Sequence, residues 1–161
     1  MFVKILVAYY SQFGDTRKVA KLIRQKTSGK LFEIEPETPY HGEYDDIMER
    51  AKKEIEAGSH PALKTLPESF EPYDTFFIGT PNWLSKVAPP VATFLSSCDL
   101  SGKTIIPFYT HGGGGAGEIE KDIAELCPGA TVKPGFARTG NFGSGTEALV
   151  EAWLRDTGII G

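Results

Sequence analysis

The segment from Ile5 to Lys26, ILVAYYSQFGDTRKVAKLIRQK, holds an apolar strand, a polar turn and an amphipathic helix in immediate succession. Ile5, Leu6, Val7 and Ala8 form a continuous apolar run, as expected of a strand buried on both faces of a sheet. Ser11, Gln12, Phe13, Gly14, Asp15 and Thr16 make the turn. Val19, Ala20 and Ile23 then recur at helical spacing, with Arg17, Lys18, Lys21 and Arg24 on other faces.

A strand that feeds a helix through glycine and hydroxyl residues suits an anion. The first backbone N–H groups of a helix lack an intrahelical partner, and the macrodipole adds positive charge there. Ser11 and Thr16 add hydroxyl donors, and Gly14 lets a ligand approach the backbone closely. An ordinary capped strand-to-helix turn fits the same residues. The loop holds no Gly-x-x-x-x-Gly-Lys-Ser/Thr, no Gly-x-Gly-x-x-Gly and no cysteine. A nucleoside-triphosphate P-loop, a dinucleotide fingerprint and a cysteine phosphatase are thereby excluded.

The rest of the chain repeats the alternation of strand and helix. Strands are expected at 31–34, 75–79, 104–110 and 131–139, the last weakened by Pro134 and Gly135. Helices are expected at 45–57, from Pro89–Pro90 onward, around Ile119, Ile123 and Leu126, and at 146–156. Pro107 interrupts an otherwise apolar strand, which calls for a bulge or a missing ladder bond. Residues 59–74 read as an irregular surface strap. Five strands alternating with helices imply an α/β fold with a parallel sheet covered by helices on both faces. No linker or internal repeat divides the 161 residues, so a single domain spanning 1–161 is expected.

Three blocks carry a family resemblance: YYSQFGDTRKVA, YDTFFIGTPNW and GKTIIPFYTHGGGG. They resemble, in the same order, the corresponding blocks of short-chain members of the flavodoxin family. Ser11-Gln12-Phe13-Gly14-Asp15-Thr16 is similar to that family's flavin mononucleotide (FMN) phosphate loop, roughly Ser/Thr-x-Thr-Gly-x-Thr. Gly79-Thr80-Pro81-Asn82-Trp83 stands where the family often has Gly-x-Pro-Ile-Trp.

The resemblance covers essentially the whole chain and implies a three-layer sandwich with strand order 2-1-3-4-5. It also implies non-covalently bound FMN at the carboxyl ends of strands one, three and four, where the connections leave in opposite directions. Phe13 departs from the pattern by removing a hydroxyl. Asp15 departs by placing a carboxylate near a phosphate, a charge that Arg17 is positioned in sequence to offset.

The flavin ring is expected between Thr80, Pro81, Asn82 and Trp83 on one side and Thr110, His111, Gly112, Gly113 and Gly114 on the other. Trp83, on a turn beside a proline, suits stacking, against the alternative of a tryptophan packed beneath the strap. A protonated His111 near the ring would stabilise a reduced, anionic flavin; a solvent-facing imidazole capping the loop is the plainer alternative. Tyr9, Tyr10 and Trp153 read as packing residues.

The function so implied is electron transfer, with the flavin carrying the chemistry. The alternatives are an FMN-dependent NAD(P)H:quinone or flavin reductase, and a flavin-free interaction module of the same fold. No nucleophile–base pair or metal-ligand spacing is present in the sequence. The net charge of −4 argues against nucleic acid. The acidic stretch from Glu33 to Asp46 reads either as a solvated face or as a docking surface for a basic redox partner protein. No run is long enough to span a membrane, MFVKILVAYY reads as a strand rather than a leader, and Cys98 and Cys127 read as reduced thiols of a cytoplasmic protein.

Overall fold

A computed structural model describes residues 4–111, 117–139 and 145–161. In chain order the elements are β1 (Ile5–Tyr9), α1 (Asp15–Thr27), β2 (Lys30–Glu33), α2 (Tyr44–Ala57), β3 (Thr75–Trp83) and β4 (Lys86–Val87). There follow α3 (Pro89–Ser96), β5 (Thr104–His111), α4 (Ile119–Leu126), β6 (Thr131–Val132), β7 (Phe136–Thr139) and α5 (Thr146–Asp156).

The main path of the sheet is β2-β1-β3-β5-β6, all parallel, with β7 continuing the edge beside β5. Taking β6 and β7 together as the fifth strand, this is the expected 2-1-3-4-5 order. Period-two alternation sends successive side chains to opposite faces. From β1, Leu6 and Ala8 join one core with α2, α3 and α4, while Ile5, Val7 and Tyr9 join a second core with α1 and α5. Phe76 and Phe77 of β3 divide in the same way. Each central strand is apolar on both sides because both sides are covered.

The expected fifth strand, 131–139, is two short strands separated by residues 133–135. The cause lies in β5. Ile105 O accepts from Lys133 N, so odd-numbered residues of β5 face this edge. Pro107 therefore presents its missing N–H to the gap between β6 and β7. On its other side Pro107 keeps register, opposite Ile78 of β3.

The third strand is also longer than the apolar run suggests. Thr80–Ser85, expected as a turn, continues β3 to Trp83 and returns through β4, with Asn82 opposite Val87 and Trp83 opposite Lys86. Leu84 and Ser85 form the tip at φ of 57° and 66°. Pro81 is tolerated because Gly79 O accepts from Tyr10 N, so odd residues of β3 face β1, and β1 has already ended.

The strap at 59–74 holds neither helix nor strand and is pinned by a bridge between Pro36 and Leu63, with Phe70 and Tyr73 packed on the core. Trp153 packs against Phe136 and Phe77, at ring-centroid distances of 5.3 and 5.6 Å. No described helix is long and apolar enough to cross a membrane, and Cys98 and Cys127 are free thiols.

Candidate functional site

The carboxyl ends of β1, β3 and β5 open onto a crevice of about 390 Å³. Connections leave β1 and β3 toward opposite faces of the sheet, the geometry that opens a ligand crevice at a switch point. The 11–16 loop forms one wall through Ser11, Gln12, Phe13, Asp15 and Thr16; Pro81, Asn82 and Trp83 form another, and Thr110 and His111 close the end. Tyr44, at the start of α2, completes the lining. None of residues 59–74 contributes.

The 11–16 loop is held open from within. Gly14 adopts φ 97°, a left-handed conformation that L side chains resist, and its N–H donates to Ser11 Oγ at 3.0 Å. Among the described residues, nothing lies within 4 Å of where a Cβ on Gly14 would stand. Among the described residues no side chain caps α1, which leaves its first-turn N–H groups available to an anion. Thr16 is buried, with its hydroxyl 2.9 Å from that of Thr110, so the start of α1 is tied to the end of β5 at the floor.

Two expected site residues, Arg17 and Thr80, stand outside the lining. Arg17 turns away from the loop: its guanidinium donates to Glu33 at 2.6 Å and also bonds Tyr9, so it does not offset Asp15 across the crevice. Those two partners raise its pKa above the ordinary arginine value. Thr80 is fully buried; its Oγ1 accepts from Ala88 N at 2.9 Å and donates to Pro81 O at 2.8 Å, holding the hairpin rather than a ligand.

Trp83 reaches the lining but is only 3% exposed, not a free ring on an exposed turn. It meets Tyr10 and Tyr40 edge-on, with centroids 5.6 and 5.2 Å away, so its burial comes from these two rings. Gly112, Gly113 and Gly114 lie outside the described residues.

Two lining residues escaped the sequence reading. Gln12 fills the variable position of the loop, yet it accepts from Tyr10 Oη and its Nε2 donates to Tyr40 O at 3.2 Å. It thus joins the loop to the segment before α2. Burial raises the pKa of both tyrosines above the usual phenol range. Tyr44 reads in sequence only as the residue before a helix. Its contact with Phe13, at 6.4 Å between centroids, forms across separate elements and leaves no local signal.

The family model for flavodoxin matches residues 4–157, nearly the full length. The chain belongs to the flavodoxin family. Among solved structures, flavoproteins are similar to it over nearly their full length. A protein from Bacteroides uniformis assigned as a flavoprotein superposes with a TM-score of 0.85 at 32% identity, covering 96% of this chain and 99% of that one. A second such protein, from Bacteroides eggerthii, gives 0.83 at 30% identity, covering 95% and 96%. A flavoprotein from Lactobacillus acidophilus, solved in complex with FMN, shares the fold at TM-score 0.74 and 23% identity, covering 94% and 98%. A comparison with curated proteins finds no significant match.

Proposed function

We propose that this flavodoxin-family chain binds FMN non-covalently in the crevice and serves as an electron carrier. The observation that carries the reading is the crevice itself. An uncapped helix start with two hydroxyls adjoins a slot rimmed by aromatic rings, at the switch point of a parallel sheet. The FMN complex of the Lactobacillus acidophilus protein adds support.

The residues present fit the group. The N–H groups of Asp15 to Arg17 and the hydroxyl of Ser11 would hold the phosphate. Thr16 and Thr110, bonded to each other, would form the floor beneath the ribityl chain. Pro81, Asn82 and His111 would flank the ring and exclude water from one side. Asp15 is the discordant charge, and it weakens rather than blocks an anion site. When bound, FMN supplies the redox chemistry, and the protein sets its affinity and potential. A basic partner protein meeting the acidic stretch from Glu33 to Asp46 belongs to this proposal.

The test is a visible absorption titration of the purified protein with FMN, followed by stepwise reduction. A shifted two-band spectrum, with electrons taken up in two resolved single steps, is the expected result. Rapid two-electron bleaching by reduced nicotinamide would point to a reductase. An unshifted spectrum with undiminished flavin fluorescence would leave a flavin-free interaction module.

A further inference from the structure

Phe13 and Tyr44 are 62% and 58% exposed, a high value for large aromatic side chains, and both line the crevice. Their rings lie 6.4 Å apart and 32° from parallel, one from the β1–α1 loop and one from the start of α2. Neither projects from loose chain. The Phe13 loop is set by the bond from Gly14 N to Ser11 Oγ and tied through Gln12 to Tyr40 O. The start of α2 is fixed by a reciprocal capping box between Glu43 and Asp46 and by Arg50 donating to Pro39 O at 2.9 Å. Rigid supports that hold two apolar rings in water mark a binding surface more than a packing accident.

The remaining aromatic of the crevice cannot take this part. Trp83 is committed to Tyr10 and Tyr40 and shows almost none of its surface. The chain after β5 continues GGGGAG and carries no Phe, Tyr or Trp. Among the described residues, a planar ring entering the crevice therefore finds its accessible phenyl and phenol surface at Phe13 and Tyr44.

We propose that Phe13 and Tyr44 form the aromatic wall against which the fused ring system of the ligand stacks. Phe13 in place of a hydroxyl is then an exchange of a phosphate contact for a ring contact. This inference rests on the FMN reading above.

Flavin fluorescence titrations with FMN and with riboflavin, which lacks the phosphate, test it on the wild type, Phe13→Ala, Phe13→Thr, Tyr44→Ala and Tyr44→Phe. Each alanine variant is expected to weaken both ligands about five- to tenfold, the effect of one lost aromatic contact. Tyr44→Phe keeps wild-type affinity, and Phe13→Thr weakens binding despite regaining a hydroxyl. Thermal melts of the ligand-free variants match the wild type.

Several outcomes would overturn the inference. Alanine variants that bind as wild type do, a loss confined to FMN, or a tighter Phe13→Thr each refute a ring contact. Lowered melting with unchanged affinity would make the pair a staple between loop and helix. A wild type that binds neither flavin defeats the FMN reading and this inference together, whereas intact wild-type binding with indifferent variants defeats this inference alone.

Discussion

Asp15 occupies the first turn of α1 and the lining of the crevice at once, and the two positions ask opposite things of its charge. A carboxylate there favours the helix dipole by about 0.3–1 kcal/mol. The same carboxylate repels a phosphate, and Arg17 is occupied by Glu33. Asp15→Asn is therefore expected to tighten FMN binding about three- to tenfold while lowering ligand-free stability slightly, and the affinity gain shrinks as salt rises. Calorimetric titration at two ionic strengths beside a thermal melt reads both signs; weaker binding would refute the account.

Ser11, Gly14 and Thr16 were legible in the sequence because hydroxyl and glycine types have few other uses at the end of a buried strand. Arg17 was not, because its partner Glu33 lies on β2 and no local pattern announces it. Trp83 misled for a related reason. Pro81 and Asn82 beside it look like a turn, and the rings that bury it come from residues 10 and 40.

Among the elements, the β3–β4 hairpin bears the visible strain. A two-residue turn with positive φ at both positions favours Asn-Gly, yet Leu84 and Ser85 occupy it, Leu84 at 49% exposure. Ser85 O also accepts from Glu118 N at 2.9 Å, so this tip anchors the chain that returns into α4. Left-handed backbone costs an L-residue about 1–2 kcal/mol, so Ser85→Gly is expected to raise stability by about 0.5–1 kcal/mol, after the added chain entropy of glycine is subtracted. Urea unfolding measures it, and a destabilised variant would mean that the Ser85 side chain holds more than the backbone shows.

Helices were easily legible: α1, α3 and α5 show their periodic apolar faces, and Val19, Ala20 and Ile23 are buried as their spacing implies. Strand ends were not. Hydrogen-bond partners, rather than residue preference, carried β3 past Gly79, where the side chain is absent because the Phe108 ring comes within 2.3 Å of any Cβ.

For the molecule as a whole, the central α/β alternation is written in the apolar runs, and the strand order enters through the three family-like blocks. Two thirds of the way into the pH scale the interior shows its own chemistry. Burial pushes the Cys98 and Cys127 thiols from 9.0 up to about 12 and about 11, and it raises Tyr10 and Tyr40 above the phenol value of 10.0. The folded protein thus keeps protons that the unfolded chain releases. Stability from these groups is complete below about pH 9 and is lost as pH climbs through the folded values. Melting temperature is expected to hold to about pH 9 and then fall steadily; a plateau persisting to about pH 11 would refute this. Both thiols should also resist alkylation at neutral pH, since the thiolate is the reactive form.

The broken edge opposite Pro107 has a consequence for how copies of the protein meet. A sheet margin is a template on which a foreign strand can add, and long flat margins invite fibrils. Here β6 offers two residues and β7 four, parted by a segment containing Pro134, so a visiting strand finds no uninterrupted run of donors and acceptors. The proline inside the sheet thereby shortens the ladder that this margin can offer to another strand.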